Sequence, residues 1–237
     1  CYVSGCMDLL ANNYDPLACF SNSSSCTYDI NNITQATGYG IIQTALDSSV
    51  HGDTIIISPG TYYENIVVNT NIVLASEHLL TNDTSYISST IIDGGGLSRV
   101  IRLNHVNSSD SIKVTIDGLS VTNGDFPSDN GGGGIYMIAS GSSDVAEKHK
   151  LILSNLNIYN NNADNNQGGG VYTLGINTDI INCTFSNNTS DGHGAGFYLQ
   201  NSSSIISNST FLNNISDKNG GAFHVQSMDS VFVLSCH

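Results

Sequence analysis

Apolar and polar positions in the second half of the chain recur with one long, fixed period. The run Asn182-Cys-Thr-Phe-Ser-Asn-Asn-Thr-Ser-Asp-Gly-His-Gly-Ala-Gly-Phe-Tyr198 returns as Asn208-Ser-Thr-Phe-Leu-Asn-Asn-Ile-Ser-Asp-Lys-Asn-Gly-Gly-Ala-Phe-His224. Phe185 maps to Phe211, Asp191 to Asp217 and Phe197 to Phe223, all by the same offset. A degenerate copy upstream uses Asn155, Ile158, Asn160, Asn161, Asp164 and Gly168-Gly-Gly-Val-Tyr172. Self-similarity at such a period signals stacked repeats that share one core. At ~3.3 Å per residue, such a coil holds three short strands and three turns. The pattern places them at residues 194–199, 179–181 and 183–186. Upstream, residues 40–50 read as a short amphipathic helix, with Ile41, Ile42, Ala45, Leu46 and Val50 on one side. Residues 53–68 are β-branched runs cut by Pro59-Gly60, which reads as strand, turn, strand.

The turn between the second and third strands is a single residue: Gly118, Asn155, Asn182 and Asn208 in successive coils. Gly and Asn tolerate the left-handed region best, so this column predicts a tight corner. Stacking predicts an amide ladder of Asn155, Asn182 and Asn208 at ~4.8 Å spacing. If that ladder is buried, the sequons at 182 and 208 are masked. Asp164, Asp191 and Asp217 form a second column. It is either a solvated turn in which Asp bonds its own backbone or a site for a bridging cation, calcium being the candidate. Cys183 and Cys236 lie two coils apart, ~9.6 Å by two rises. That exceeds the ~7 Å Cα limit of a disulfide, so they are expected not to pair. Cys183 aligns with Leu156 and Ser209, an inward position. Polar insertions at 104–110 and 139–149 are expected to leave one turn, the place to look for binding.

Composition excludes some classes. Six Lys+Arg against 20 Asp+Glu give a net charge of −14, so there is no electrostatic footprint for nucleic acid. No apolar run approaches the roughly 18 residues that a spanning helix needs, so no membrane span is expected. No signal peptide is visible, and Cys1 reads as the start of a mature or trimmed chain. Sequons at Asn22, Asn32, Asn82, Asn107, Asn188, Asn201 and Asn214 are N-glycosylation candidates for an exported chain, although a chain rich in Asn, Ser and Thr produces many by chance.

Cys1, Cys6, Cys19 and Cys26 crowd into the opening segment. They read as a disulfide module and an oxidising compartment. Zinc is the rival reading, but no His lies nearby and no C-x-x-C pair occurs. Gly5-Cys-Met-Asp8, Ala11-Asn-Asn-Tyr-Asp-Pro16, Ala18 and Ser25-Cys-Thr-Tyr28 resemble a small module of microbial extracellular proteins. Before Cys26 the module usually carries Asp-Asp-Gly, where Asn22-Ser-Ser-Ser25 stands here. That weakens a calcium reading built on Asp8, Asn13 and Asp15. Four cysteines allow three pairings; Cys6–Cys26 with Cys1–Cys19 is favoured.

Ile42-Gln, Ala45-Leu, Gly52-Asp-Thr-Ile, Ser58-Pro-Gly-Thr-Tyr-Tyr-Glu-Asn-Ile66 and Ile91-Ile-Asp-Gly-Gly95 resemble the opening coils of the pectin-lyase-like superfamily. The F-x-x-N and G-G-A repeats after residue 110 resemble those of chlamydial-type polymorphic outer-membrane proteins. Both resemblances imply an all-β, right-handed parallel β-helix of about 26 residues per coil, a period within the range of repeat architectures. The expected layout is a disulfide module over 1–30, a connector and one capping helix over 31–52, and the β-helix over 53–237, incomplete or covered at its C-terminal end. Gly192-His-Gly194 and Asn177-Thr-Asp179 are similar to two polygalacturonase motifs. His193, however, aligns with Gln167 and Asn219, a variable turn position, and the paired aspartates and Arg-x-Lys of that family are missing. Arg99 and Arg102 would face opposite sides, Arg102 pairing with Asp117 at the surface. An esterase set of Asp93, Asp117 and Arg102 is conceivable but unsupported. Fold does not settle function. The expectation is a secreted or surface-exposed, non-enzymatic glycoprotein, acting as scaffold, adhesin or filament subunit and self-associating through its β-helix ends. The alternative is a polysaccharide-active or carbohydrate-binding β-helix.

Overall fold

A computed structural model describes residues 4–9, 11–18, 20–21, 26–104, 111, 113–127, 131–139, 149–164, 166–200, 203–226 and 230–237. The chain is a parallel β-helix. Sheet one stacks β7 (Ile66–Val68), β10 (Ile101–Leu103), β13 (Ile135–Ile138), β17 (Val171–Leu174), β21 (Phe197–Gln200) and β25 (Phe223–Gln226). Sheet two stacks β5 (Asp53–Ile57), β8 (Ile72–Ser76), β11 (Lys113–Asp117), β14 (Lys150–Ser154), β18 (Asn177–Ile181), β22 (Ser204–Ser207) and β26 (Val231–Leu234). Sheet three stacks β6 (Gly60–Tyr63), β9 (Thr90–Asp93), β12 (Ser120–Thr122), β15 (Asn157–Tyr159), β19 (Thr184–Ser186) and β23 (Thr210–Leu212). A fourth sheet, absent from the sequence reading, joins β16 (Asn162–Ala163), β20 (Thr189–Ser190) and β24 (Ile215–Ser216).

The N-terminal module is a two-strand pairing of β1 (Ser4–Gly5) with β2 (Phe20–Ser21), closed by the Cys6–Cys26 disulfide at a Cα separation of 4.9 Å. Cys1 and Cys19 lie outside the described residues. Asn13 and Asp15 use their side chains on the backbone N–H groups of Thr27 and Leu17. Next, β3 (Ile30–Asn32) and β4 (Thr37–Tyr39) form an antiparallel hairpin on the edge of β5. Helix α1 (Ile42–Asp47) lies over this end of the core and buries Ile42, Ala45 and Leu46. Glu64 anchors its start by accepting the N–H groups of Ile42 and Gln43, both at 2.9 Å. Ile41 and Val50 are exposed, contrary to expectation. Ile41 is the extended residue before the helix, so it does not share the helical face. Two further short helices, α2 (His78–Thr81) and α3 (Ser85–Ser89), precede β9, where one helix was expected in all.

The corner prediction holds. Gly118, Asn155, Asn182 and Asn208 all have φ between 50° and 69°. The ladder prediction needs correction. Asn182 Nδ2 does donate to Asn155 Oδ1 at 3.2 Å, but Asn155 Nδ2 turns to Asp117, and Asn182 and Asn208 are exposed. The corner residue points outward because the next residue (Leu156, Cys183, Ser209) is the one that enters the core. Their sequons are therefore not masked by burial.

The inner ladder is Asn161, Asn188 and Asn214, the last of them half-buried. Asn161 Nδ2 donates to Asn188 Oδ1 at 3.0 Å, and Asn188 Nδ2 to Asn214 Oδ1 at 2.9 Å. The backbone N–H groups of Asn161 and Asn188 reach the same acceptors at 3.1 Å. Each amide also donates to a carbonyl of its own or a preceding coil: Tyr159 and Val121, Ile158, and Phe185. Asn161 and Asn188 are fully buried. Burial of such groups is tolerable only when donors and acceptors are matched, and here they are.

Aromatic columns run beside this ladder. Phe185 stacks on Phe211 at 5.1 Å and Phe197 on Phe223 at 5.0 Å. Tyr136, Tyr172, Tyr198 and His224 form a second stack at 5.3–5.6 Å. Cys183 is a buried free thiol, its pKa pushed up to about 12 by burial. Cys236 is also free and lies in register with Ser209, on the column of Cys183.

Asn188→Ala strands several buried partners and should cost about 2–4 kcal/mol of stability, read by denaturant unfolding. The exposed Asp217→Asn should stay within about 0.5 kcal/mol. His224 is held below its usual pKa by burial and by His193, whose ring lies 4.6 Å away. A lowered His pKa contributes stability that is present above the unfolded value of about 6.5 and lost as pH falls from there through the folded one. The melting temperature should therefore drop between pH 7.5 and 5.5, and His224→Gln should flatten that slope.

Candidate functional site

An open cleft of about 510 Å³ lies beyond the ends of the sheet-three strands, lined by Tyr63, Asp93, Asn123, Asp125, Asn160 and Asn162 among others. Parallel register builds it. Tyr63 pairs with Asp93 at the ends of β6 and β9, and Asn123 and Asn160 follow β12 and β15 in the same stack. In later coils the fourth sheet occupies this turn; it begins at the bridge between Asp125 and Asn162. In the earlier coils no such strand is found among the described residues, and a concavity remains. The floor is made of backbone. Gly95 and Gly96 have φ of 63° and 67°, and a Cβ at either would meet only open space.

The side chains are held in place. Asp93 accepts the N–H of Gly95 at 2.8 Å and Nδ2 of Asn123 at 2.9 Å. Asn162 Nδ2 donates to Asp164 at 2.7 Å and to Asp125 at 3.4 Å, while its Oδ1 accepts Thr189 Oγ1. Burial raises the Asp125 pKa, and the nearby Asp164 carboxylate raises it further; the Asn162 bond opposes both. Tyr63 presents an exposed ring, 77% accessible. Among the described residues that line the cleft, none is a lysine or arginine.

The structure disperses the other candidate sets. Arg102 is exposed on sheet one, whereas Asp117 is buried on sheet two and bonded to His78, Ser154 and Asn155. The expected Arg102–Asp117 surface pair is therefore absent among the described residues. The imagined esterase set of Asp93, Asp117 and Arg102 falls on three different sheets. Arg99 is buried, its guanidinium 3.5 Å over the Phe126 ring and 3.8 Å over the Tyr136 ring, and burial lowers its pKa to about 10. Its Nε donates to the Gly131 carbonyl. His193 Nδ1 accepts the Asn219 N–H, and its ring stacks on His224. Asn177 and Asp179 sit elsewhere, on sheet two, where Asp179 pairs with Lys150 at 2.6 Å.

The aspartate column exists in the backbone: Asp191 N–H bonds the Ala163 carbonyl and Asp217 N–H the Ser190 carbonyl. Its carboxylates do not converge. Among the described residues no three His, Cys, Asp or Glu group to hold a metal. Asp164 turns to Asn162, and Asp191 and Asp217 are exposed.

Three glycosylation candidates are corrected. Asn32 is fully buried, with its amide on Asp53 and its Oδ1 accepting the N–H groups of Thr34 and Gln35. Asn188 and Asn214 spend their amide nitrogens in the inner ladder. Asn82 is exposed at the left-handed end of α2. Asn22, Asn107 and Asn201 lie outside the described residues, as do the insertion segments 105–110 and 140–148. The strands that come before the two insertions, β10 and β13, are paired neighbours in sheet one. The cleft and the inner ladder were missed. The paired asparagines 160/161, 187/188 and 213/214 were the available signal for the ladder.

Residues 182–200 and 208–226 match the Chlamydia polymorphic membrane protein repeat. No curated protein matches the chain. Among solved structures, a pectin methylesterase mutant in complex with a hexasaccharide aligns at 11% identity with a TM-score of 0.36, covering 78% of this chain and 65% of the other. The chain is thus a parallel β-helix whose C-terminal coils carry repeats of the polymorphic-membrane-protein type.

Proposed function

We propose that the chain is a secreted or surface-exposed, non-enzymatic scaffold, adhesin or filament subunit. One observation carries this reading: the reactive side chains serve the stack. Arg99 lies over Tyr136, one member of the tyrosine column, His193 receives the next coil's N–H, and Asp117 ties three neighbours together. A reacting centre needs groups that converge on one point in space, and these occupy separate faces.

Self-association through the ends of the β-helix belongs to the same reading, because stacked parallel coils pair strand edge to strand edge. A carbohydrate-binding β-helix is the second reading, favoured by the cleft.

Light scattering should show mass rising with concentration. A monomer at all concentrations would contradict end-to-end assembly. The same samples should release neither reducing ends from polygalacturonate nor methanol from methylated pectin; release abolished by Asp93→Asn would overturn the non-enzymatic reading. Expressed in glycosylating cells, the chain should carry glycan at Asn82 and none at Asn32 or Asn188, as read by peptide mass mapping.

A further inference from the structure

We infer that the cleft beyond sheet three is a subsite for a neutral oligosaccharide. Three features converge on that ligand class. First, Tyr63 offers an exposed ring at one wall, and an aromatic face packs against apolar faces while leaving its hydroxyl in water. Pyranose rings present such faces, with C–H groups on one side and hydroxyls at the rim. Second, Asp93 and Asp125 are carboxylates with capacity for further hydroxyl donors, and charge-assisted bonds of this kind are the strong ones. Asp93 is fixed by Gly95 and Asn123, so little side-chain entropy is lost when a ligand binds. Third, Gly95 and Gly96 line the cleft with bare backbone, and a Cβ added at either would project into open space.

Electrostatics then select among sugars. The described lining carries two carboxylates, Asp93 and Asp125, and no Lys or Arg, on a chain of net charge −14. A uronate or phosphorylated ligand would bring like charge against them and is disfavoured. A chelated metal is not the better reading, because no three metal-ligating side chains group among the described residues.

The inference depends on the non-enzymatic reading only in treating the cleft as a surface that binds without reacting. It is tested on the full chain by calorimetric titration with cellohexaose, xylohexaose, an N-acetylglucosamine hexamer and a galacturonate hexamer. At least one neutral hexamer should saturate, with the galacturonate hexamer at least tenfold weaker. Tyr63→Ala should weaken binding about tenfold, and Tyr63→Phe should restore it. No saturation by any neutral hexamer at millimolar concentration, equal binding of the acidic one, or insensitivity to Tyr63→Ala overturns the proposal. Chromatography of the same mixtures separates the two readings, since cleaved hexamer would overturn the non-enzymatic function while leaving the subsite standing.

Discussion

The inner asparagine ladder is the interaction on which the rest of the rod depends. A parallel β-helix must turn its chain several times per coil, and the turn after sheet three carries Asn161 and Asn188 into the buried interior. Asn161, Asn188 and Asn214 find their partners by bonding along the stack and to the backbone at once. Each link contributes only on the order of 1 kcal/mol net, yet leaving any of them unmade costs more than making it gains. The ladder therefore specifies register as much as it adds stability. A one-residue slip would turn Phe185, Phe197 and Ile158 out of the core and Asn187 into it.

That constraint explains why chemistry-bearing residues here have structural roles. A side chain on a repeating position is judged by its neighbours one coil above and below. His193 works as an acceptor for the coil that follows it, and the tyrosine column passes beneath the Arg99 guanidinium. Function is left to the places where the repeat is irregular. The cleft is one of them, opened where the described early coils lack the short fourth strand that Asn162, Thr189 and Ile215 begin later.

Much of the fold was legible in the sequence because the period is strict in the later coils. The constant offset from Phe185 to Phe211 and from Phe197 to Phe223 placed the coils, and those pairs stack in register. The Gly118, Asn155, Asn182, Asn208 column marked a left-handed corner that the backbone confirms. The inward Cys183, unpaired, followed from the same alignment. What failed was direction. Asn187 and Asn188 are adjacent and chemically identical, yet one is an exposed corner and the other is fully buried. Residue type cannot distinguish them; only the path of the fourth strand does. The cleft was hidden for a related reason. Tyr63, Asp93 and Asn123 lie 30 residues apart and Asn160 a further 37 on, neither of them the 26-residue offset from Phe185 to Phe211, so the later repeat does not line them up.

The most direct test of the ladder is amide exchange of the asparagine side chains, read by NMR on the intact chain. The Nδ2 hydrogens of Asn161 and Asn188 should exchange as slowly as the backbone amides of sheet three, while those of the exposed Asn187 exchange at solvent rates. Fast exchange at Asn188 Nδ2, with the backbone still protected, would contradict the claim that buried asparagines hold the coils in register.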